Sequence, residues 1–136
     1  MEEFIVRPIG VVRSALKDPA DAPKQGALTG QEAEIVVDPA YLPGLEGFDR
    51  RRGKIIVICW MHRADRGRLK VHPQGQEELP ERGVFSTRSP HRPNPVSLHT
   101  VTLLSIEGNV MRVRGMDAID GTPVVDIKSH SPELDG

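Results

Sequence analysis

A single cysteine, Cys59, occurs in the whole chain. No internal disulfide framework can therefore form, and the sequence fits a reducing compartment. No apolar run approaches the length that spans a bilayer. The opening residues MEEFIVRPIG carry two acids where a secretory signal carries positive charge, and Arg7 interrupts the apolar residues that follow. No export signal is expected, and the cytoplasm is the expected location. The five histidines, His62, His72, His91, His99 and His130, show no metal-ligand spacing, and one cysteine cannot help to build a zinc centre, so no metal site is expected. The sequence contains neither a GxGxxG loop nor a P-loop, which leaves a Rossmann-type cofactor site and an NTPase unsupported. A Cys59–His62 catalytic pair is disfavoured too, because Cys59 lies in the most apolar stretch, Ile55–Met61, where a thiol is held inert. Finally, a formal net charge of -1 argues against holding nucleic acid by bulk electrostatics alone. A local patch is still compatible with that charge. Arg50, Arg51, Arg52, Lys54, Arg63, Arg66, Arg68 and Lys70 fall in one stretch with Asp65 as its only acid, readable as an RNA-facing surface or as an ordinary solvated face.

With 136 residues, 38% hydrophobic and 27% charged, the chain has the balance of a soluble protein with one domain over residues 1–136. Short runs rich in Val and Ile recur between Pro/Gly breaks, which predicts many short strands and a mainly β fold. The expected strands are Phe4–Val12, Ala33–Val37, Lys54–Met61, Val84–Thr87, Leu98–Ile106, Val110–Gly115 and Val124–Ile127, with one short helix around Pro39–Leu45. Glu107-Gly108-Asn109 supplies the turn of a β-hairpin over Leu98–Gly115. The run Ile55–Met61 is apolar throughout and predicts a strand buried on both faces, by covering loops or by a partner chain; a dimer is an economical explanation. Ser14–Gln31 and Asp65–Gly83 read as long polar loops, functional or disordered.

Two constellations could carry chemistry. In Thr87-Arg88-Ser89-Pro90-His91-Arg92-Pro93-Asn94-Pro95 three prolines stiffen a loop, Arg88 and Arg92 offer charged donor forks suited to a carboxylate or phosphate, and Asn94 offers a donor and an acceptor. The alternative is a proline-stiffened turn with solvated arginines. Asp117-Ala118-Ile119-Asp120-Gly121-Thr122-Pro123, followed by Val124-Val125-Asp126-Ile127-Lys128, reads first as a turn between strands; it also offers a carboxylate, a hydroxyl and free backbone groups at a sheet end.

Read together with Pro8–Ser14 and Pro23-Lys24-Gln25, these motifs resemble the TsaA/TrmO-like family, the S-adenosylmethionine-dependent tRNA (N6-threonylcarbamoyladenosine) methyltransferases. The likeness runs over nearly the whole chain. It implies a single-sheeted antiparallel β-barrel with long functional loops and little helix, binding S-adenosyl-L-methionine without a Rossmann sheet. It also implies a homodimer with the cofactor near the subunit interface, methylating N6 of threonylcarbamoyladenosine next to the anticodon of tRNA. Carried over by position, the cofactor contacts fall at Lys24, Gln25, His62, Arg63, Arg88, Leu98, Asp120, Gly121, Thr122 and Pro123, with Arg92 and Asn94 left for the substrate. An amide-like acceptor nitrogen must lose a proton, and Asp126 is the nominated base, with Lys128 or His130 assisting; an ordinary strand-end ion pair is the alternative for Asp126 and Lys128.

The chain departs from the family pattern in three ways. Val96-Ser97-Leu98-His99 stands for Ile-Gly-Leu-Ser, Ser129-His130 stands for Pro-Tyr, and the sequence stops at Gly136 without the extra C-terminal domain of longer members. The first alters a pocket wall where glycine permits close approach, and the second removes a ring that could stack on a base. Two other readings follow: an S-adenosylmethionine-binding module or sensor without turnover, and a methyltransferase acting on a small metabolite.

Overall fold

A computed structural model describes residues 1–17, 30–48 and 53–136. Its strands in chain order are β1 (Gly10–Arg13), β2 (Glu32–Val37), β3 (Lys54–Trp60), β4 (Lys70–Val71), β5 (Arg82–Gly83), β6 (Val96–Glu107), β7 (Val110–Arg114) and β8 (Pro123–Ser129), followed by the single helical turn α1 (Pro132–Asp135). The chain divides into two compact units, Met1–Cys59 with Leu98–Gly136, and Trp60–Ser97. Six strands close a barrel in the order β1-β2-β7-β6-β3-β8, while β4 and β5 make a separate two-stranded ladder. The fold is thus mainly β, as the strand pattern predicts, and it is the antiparallel barrel with little helix that the family resemblance implies.

Alternation makes the barrel. Ala33, Ile35 and Val37 of β2, Met111 and Val113 of β7, and Val101 and Leu103 of β6 are buried, with exposed or half-buried residues between them. A two-sided sheet closed on itself needs this period of two, and each buried Val or Ile contributes on the order of 2 kcal/mol by leaving water. In β3, Ile55, Val57 and Cys59 are buried on the inner face, while on the other face Ile56 is buried and Ile58 and Trp60 are half-buried, so the expected burial of both faces is met only in part.

The β6–β7 hairpin forms as expected, its turn made by Gly108 at φ 60° followed by Asn109. Asn109 also ties the turn to β2, its Nδ2 donating to the Val37 carbonyl at 2.8 Å. In β8 the register slips as it passes β3, Ile58 pairing with Asp126 and Cys59 with Val124. Val125 is the extra residue. It returns Ile127, opposite buried Val57, to the inner face and turns Asp126 outward.

Several segments differ from the sequence reading. Strand β1 begins at Gly10, not Phe4, because its partner ends there: Gly10 pairs with Val37, and Pro39 then starts a 3-10 helix that leads the chain away. Pro8 also lacks a ladder donor. Val84–Ser86 is a 3-10 turn instead of a strand. Ser86 Oγ donates to the Gly83 carbonyl at 2.7 Å and Thr87 Oγ1 to the Val84 carbonyl at 2.8 Å, local bonds that replace the ladder. Pro39–Leu45 is helical as expected, though in 3-10 geometry, capped by Asp38 Oδ1 accepting from the Ala40 N–H at 2.9 Å. Asp65–Gly83 holds β4, β5 and the 3-10 turn Pro73–Gly75, so it is partly ordered, whereas most of Ser14–Gln31 lies outside the described residues.

Candidate functional site

Within the barrel unit, the segment 117–123 leads from β7 into β8 and is bound to the end of β1. The Asp120 N–H donates to the Leu16 carbonyl (2.6 Å), the Gly121 N–H to Val12 (2.8 Å) and the Thr122 N–H to Ile119 (3.2 Å). Ser14 completes the connection, its Oγ donating to the Ala118 carbonyl (3.0 Å) and its N–H to Asp120 Oδ1 (3.0 Å). Gly121, at φ 87°, makes the reversal possible. Thr122 is buried, and its hydroxyl donates to the Ile119 carbonyl at 2.7 Å. The hydroxyl and the three N–H groups that the sequence suggested as open are therefore used in holding the turn. Asp120 keeps a partly exposed carboxylate, with Lys17 Nζ 3.0 Å from Oδ2.

The Lys17 ammonium, and after it the Ser14 N–H, holds the Asp120 carboxyl below the usual carboxylate range. Asp65 is lowered likewise, first by the Gly67 N–H and further by Arg68. A depressed folded-state value means that the contribution is complete above the ordinary carboxylate value of about 4 and is lost as pH falls through the folded value. The melting temperature should accordingly hold at neutral pH and fall in acid below the ordinary value, and Asp120→Asn should flatten part of that fall; thermal melts between neutral pH and strong acid check this.

Asp126 and Lys128, both on β8, form an exposed ion pair at 3.6 Å, and Asp126 Oδ1 also accepts from the Ile127 N–H at 2.9 Å. Such a pair contributes less than about 1 kcal/mol. Asp126 borders a shallow groove of about 390 Å³ whose other walls include Ile9, Val37, Tyr41, Leu45 and Phe48. His130, the proposed assistant, is buried. Leu98, by contrast, is 59% exposed on β6. Cys59 is buried, and that burial, with the charge of Asp117, pushes its thiol up to about 12. The thiol stays protonated and inert, as its apolar neighbours suggested.

In the second unit the loop 61–68 is fastened to the proline-rich loop. The Asp65 N–H donates to His91 Nδ1 (2.9 Å), the Met61 N–H to the Pro95 carbonyl (2.7 Å), and Arg66 Nε to the Pro93 carbonyl (2.7 Å). Arg66 also lies 5.1 Å from the Trp60 ring centroid, a cation–π contact, and reaches Asn94 Oδ1 at 3.5 Å. Arg92 faces inward: its Nη2 donates to the carbonyls of Val84 (2.5 Å) and Thr87 (2.7 Å), while Nε is buried without a partner. Arg92 thus braces the loop that presents Arg88. Arg92→Ala should free two carbonyls and open residues 84–89 locally, by about 1–3 kcal/mol for a charged donor, seen as faster amide exchange there with little change in β2 or β7. His62, Arg63 and Arg88 are exposed. Lys24 and Gln25, and Arg50, Arg51 and Arg52 of the basic stretch, lie outside the described residues.

Of the predicted site residues, His62, Arg63, Arg88, Arg92 and Asn94 belong to one unit, and Leu98, Asp120–Pro123, Asp126 and Lys128 to the other; within the latter, Asp120 is held at the Ser14 end of β1, whereas Asp126 borders the groove beside Ile9 and Val37. Charge divides along the same line. Residues 60–97 hold seven Lys/Arg against four Asp/Glu, and the rest of the chain eleven against fifteen. Sequence reasoning missed the Lys17–Asp120 pair and a His99–Asp117 pair at 2.8 Å. The second had a signal: His99 shares the inward parity of Val101 and Leu103, and a polar side chain there needs a partner. Among the described residues no group of His, Cys, Asp and Glu is arranged to hold a metal ion, and no helix is long and apolar enough to cross a membrane.

Known proteins resemble the chain over nearly its whole length. The chain is 49% identical over 132 residues to an S-adenosyl-L-methionine-binding protein of Archaeoglobus fulgidus, covering 97% of this chain and 93% of that one. A probable S-adenosyl-L-methionine-binding protein of Methanothermobacter thermautotrophicus is 47% identical over 133 residues, covering 98% and 94%. Among solved structures, the crystal structure of TrmO from Pseudomonas aeruginosa superposes with a TM-score of 0.82 at 29% identity, over 100% of this chain. The present chain spans 58% of that protein's length. The tRNA-methyltransferase O N-terminal domain matches residues 11–136, and the chain belongs to that family.

Proposed function

We propose that the protein is an S-adenosylmethionine-dependent methyltransferase that methylates N6 of threonylcarbamoyladenosine next to the anticodon of tRNA, acting as a cytoplasmic homodimer with the cofactor near the subunit interface. The observation that carries the reading is the 117–123 turn, pinned on β1 so that an ionised Asp120 carboxylate stays partly exposed at the barrel's end. Membership of the family and the names of the two similar proteins support it.

The residues present fit such a ligand. S-adenosylmethionine supplies an electrophilic methyl group on a sulfonium, along with an amino-acid end, a ribose and an adenine. Arg88, exposed and presented by the Arg92-braced loop, offers a planar donor fork for the carboxylate. Asp120 accepts from the ammonium or the ribose hydroxyls, with Lys24, Gln25, His62, Arg63, Leu98, Gly121, Thr122 and Pro123 as further contacts. Thr122 acts through the backbone it stiffens, since its hydroxyl is committed to Ile119. Arg92 and Asn94 shape the acceptor side. Asp126 takes the acceptor's proton, Lys128 neighbouring it at 3.6 Å. Holding acceptor and donor in line can lower a barrier by several kcal/mol, on the order of 7 or more in the best-oriented cases.

A second reading, a binding module without turnover, is favoured by one observation: the nominated base is an exposed, ion-paired carboxylate. Calorimetric titration with S-adenosylmethionine, together with a labelled-methyl assay on tRNA carrying the threonylcarbamoyl group, separates the two. Saturable binding, weakened at least about tenfold in Arg88→Ala for loss of a charged hydrogen bond, with turnover on that tRNA, supports the enzyme. Binding without transfer supports the module, and a labelled product that survives ribonuclease indicates a small metabolite as acceptor. No binding at millimolar ligand by a folded sample removes both cofactor readings.

A further inference from the structure

The His99–Asp117 pair has no part in the function proposed above. His99 lies on the inward face of β6, two residues before buried Val101, with 11% of its side chain exposed. Its Nδ1 is 2.8 Å from Asp117 Oδ1. A carboxylate only accepts, so Nδ1 carries the proton and donates. The pair is partly shielded from water, with 30% of the Asp117 side chain exposed; a charge-assisted bond so placed is stronger than a fully solvated one, and its loss leaves a carboxylate without one of its donors.

Position gives the bond its consequence. Leu98 directly precedes His99, and Asp117 begins the segment that carries Asp120, Gly121, Thr122 and Pro123. On one side that segment is held to the β1 end by Val12, Ser14 and Leu16. On the other, the His99–Asp117 bond holds its start to β6. Two sets of proposed cofactor contacts, far apart in sequence, are thereby fixed relative to each other. We infer that His99 is a positioning residue of the cofactor site: through Asp117 it sets the distance between Leu98 and the Asp120 turn. This rests on the S-adenosylmethionine reading given above.

The test compares wild type with His99→Leu, His99→Asn and Asp117→Ala by calorimetric titration with S-adenosylmethionine, each well below its own melting temperature. In His99→Asn the side-chain amide nitrogen falls near the place of imidazole Nδ1 and keeps the donor; leucine removes it. His99→Leu should weaken binding about tenfold, the scale of one charged hydrogen bond, and His99→Asn should recover most of that loss even where both variants melt at the same temperature. A merely structural role would lower the melting point and leave affinity unchanged. Wild-type affinity in His99→Leu, or an asparagine variant no better than the leucine one, overturns the inference. If His99→Leu does not fold, Asp117→Ala decides, since it removes the acceptor and unchanged affinity there also overturns the inference. A wild type that binds no S-adenosylmethionine sinks the cofactor reading itself, and this inference with it, a result distinct from binding that ignores His99.

Discussion

Gly10→Ala should lower the stability of the barrel by about 3 kcal/mol, at the upper end of what forcing extra atoms into a packed site costs. A Cβ at residue 10 would stand 2.5 Å from the Val36 carbonyl oxygen and 3.1 Å from Val37 Cα. Both atoms belong to the backbone of the neighbouring strand, which cannot rotate aside as the tip of a side chain could. Gly10 is also paired on both edges, with Val37 of β2 and Val124 of β8, so a shift away from one partner strains the other. Against a total stability of about 5–15 kcal/mol for a domain of this kind, the loss is large. Urea unfolding should show a lower midpoint with an unchanged slope, and Gly10→Val a lower midpoint still. Gly44→Ala is the control: nothing lies within 4 Å of its added Cβ, and its midpoint should move little. An unmoved midpoint in Gly10→Ala would mean that the two strands are not this close.

Asp120→Ala should abolish measurable binding of S-adenosylmethionine, at least about a hundredfold loss where a carboxylate both meets the ligand and holds the loop that carries it. Removing the carboxylate deletes the proposed contact and also takes the Asp120 partner from Lys17 and from the Ser14 N–H. Asp120→Asn separates the two roles. Its side-chain oxygen can still accept from the Ser14 N–H, so the turn stays closed, while the charge that would meet an ammonium is gone. If the charge matters, the asparagine variant binds nearly as poorly as the alanine one in calorimetry; if Asp120 serves only to close the turn, it binds like the wild type. The second outcome would move the cofactor's cation to another acid.

Strand content was legible because burial follows a period of two. Ala33, Ile35 and Val37 and the hairpin around Gly108 carry that period in plain view, and they form as the sequence predicts. The faults arose where local chemistry competes with the ladder. Val84–Ser86 has strand-like composition, yet the hydroxyls of Ser86 and Thr87 close it into a turn. Phe4–Pro8 looks like a strand, but a strand needs a neighbour, and Pro39 removes it. At the site, motif residues could be named from the sequence, but their commitments could not. Arg92 and Thr122 both read as open polar groups and both spend them on backbone carbonyls. Nor does the sequence reveal that Val125 bulges and turns Asp126 outward, because one extra residue in a ladder leaves no mark on composition.

The order β1-β2-β7-β6-β3-β8 places the first and last barrel strands side by side. The β6–β7 hairpin needs only a two-residue connection, whereas Ser14 meets Asp120 across 106 positions of sequence. Closing so long a loop costs chain entropy before any contact repays it, and non-local pairings of this kind make folding slow. The turn that carries Asp120 therefore belongs to the late part of assembly. A nascent or partly folded chain can hold its hairpin and most of its apolar interior while offering a ligand nothing to grip, so ligand binding reports on the finished barrel.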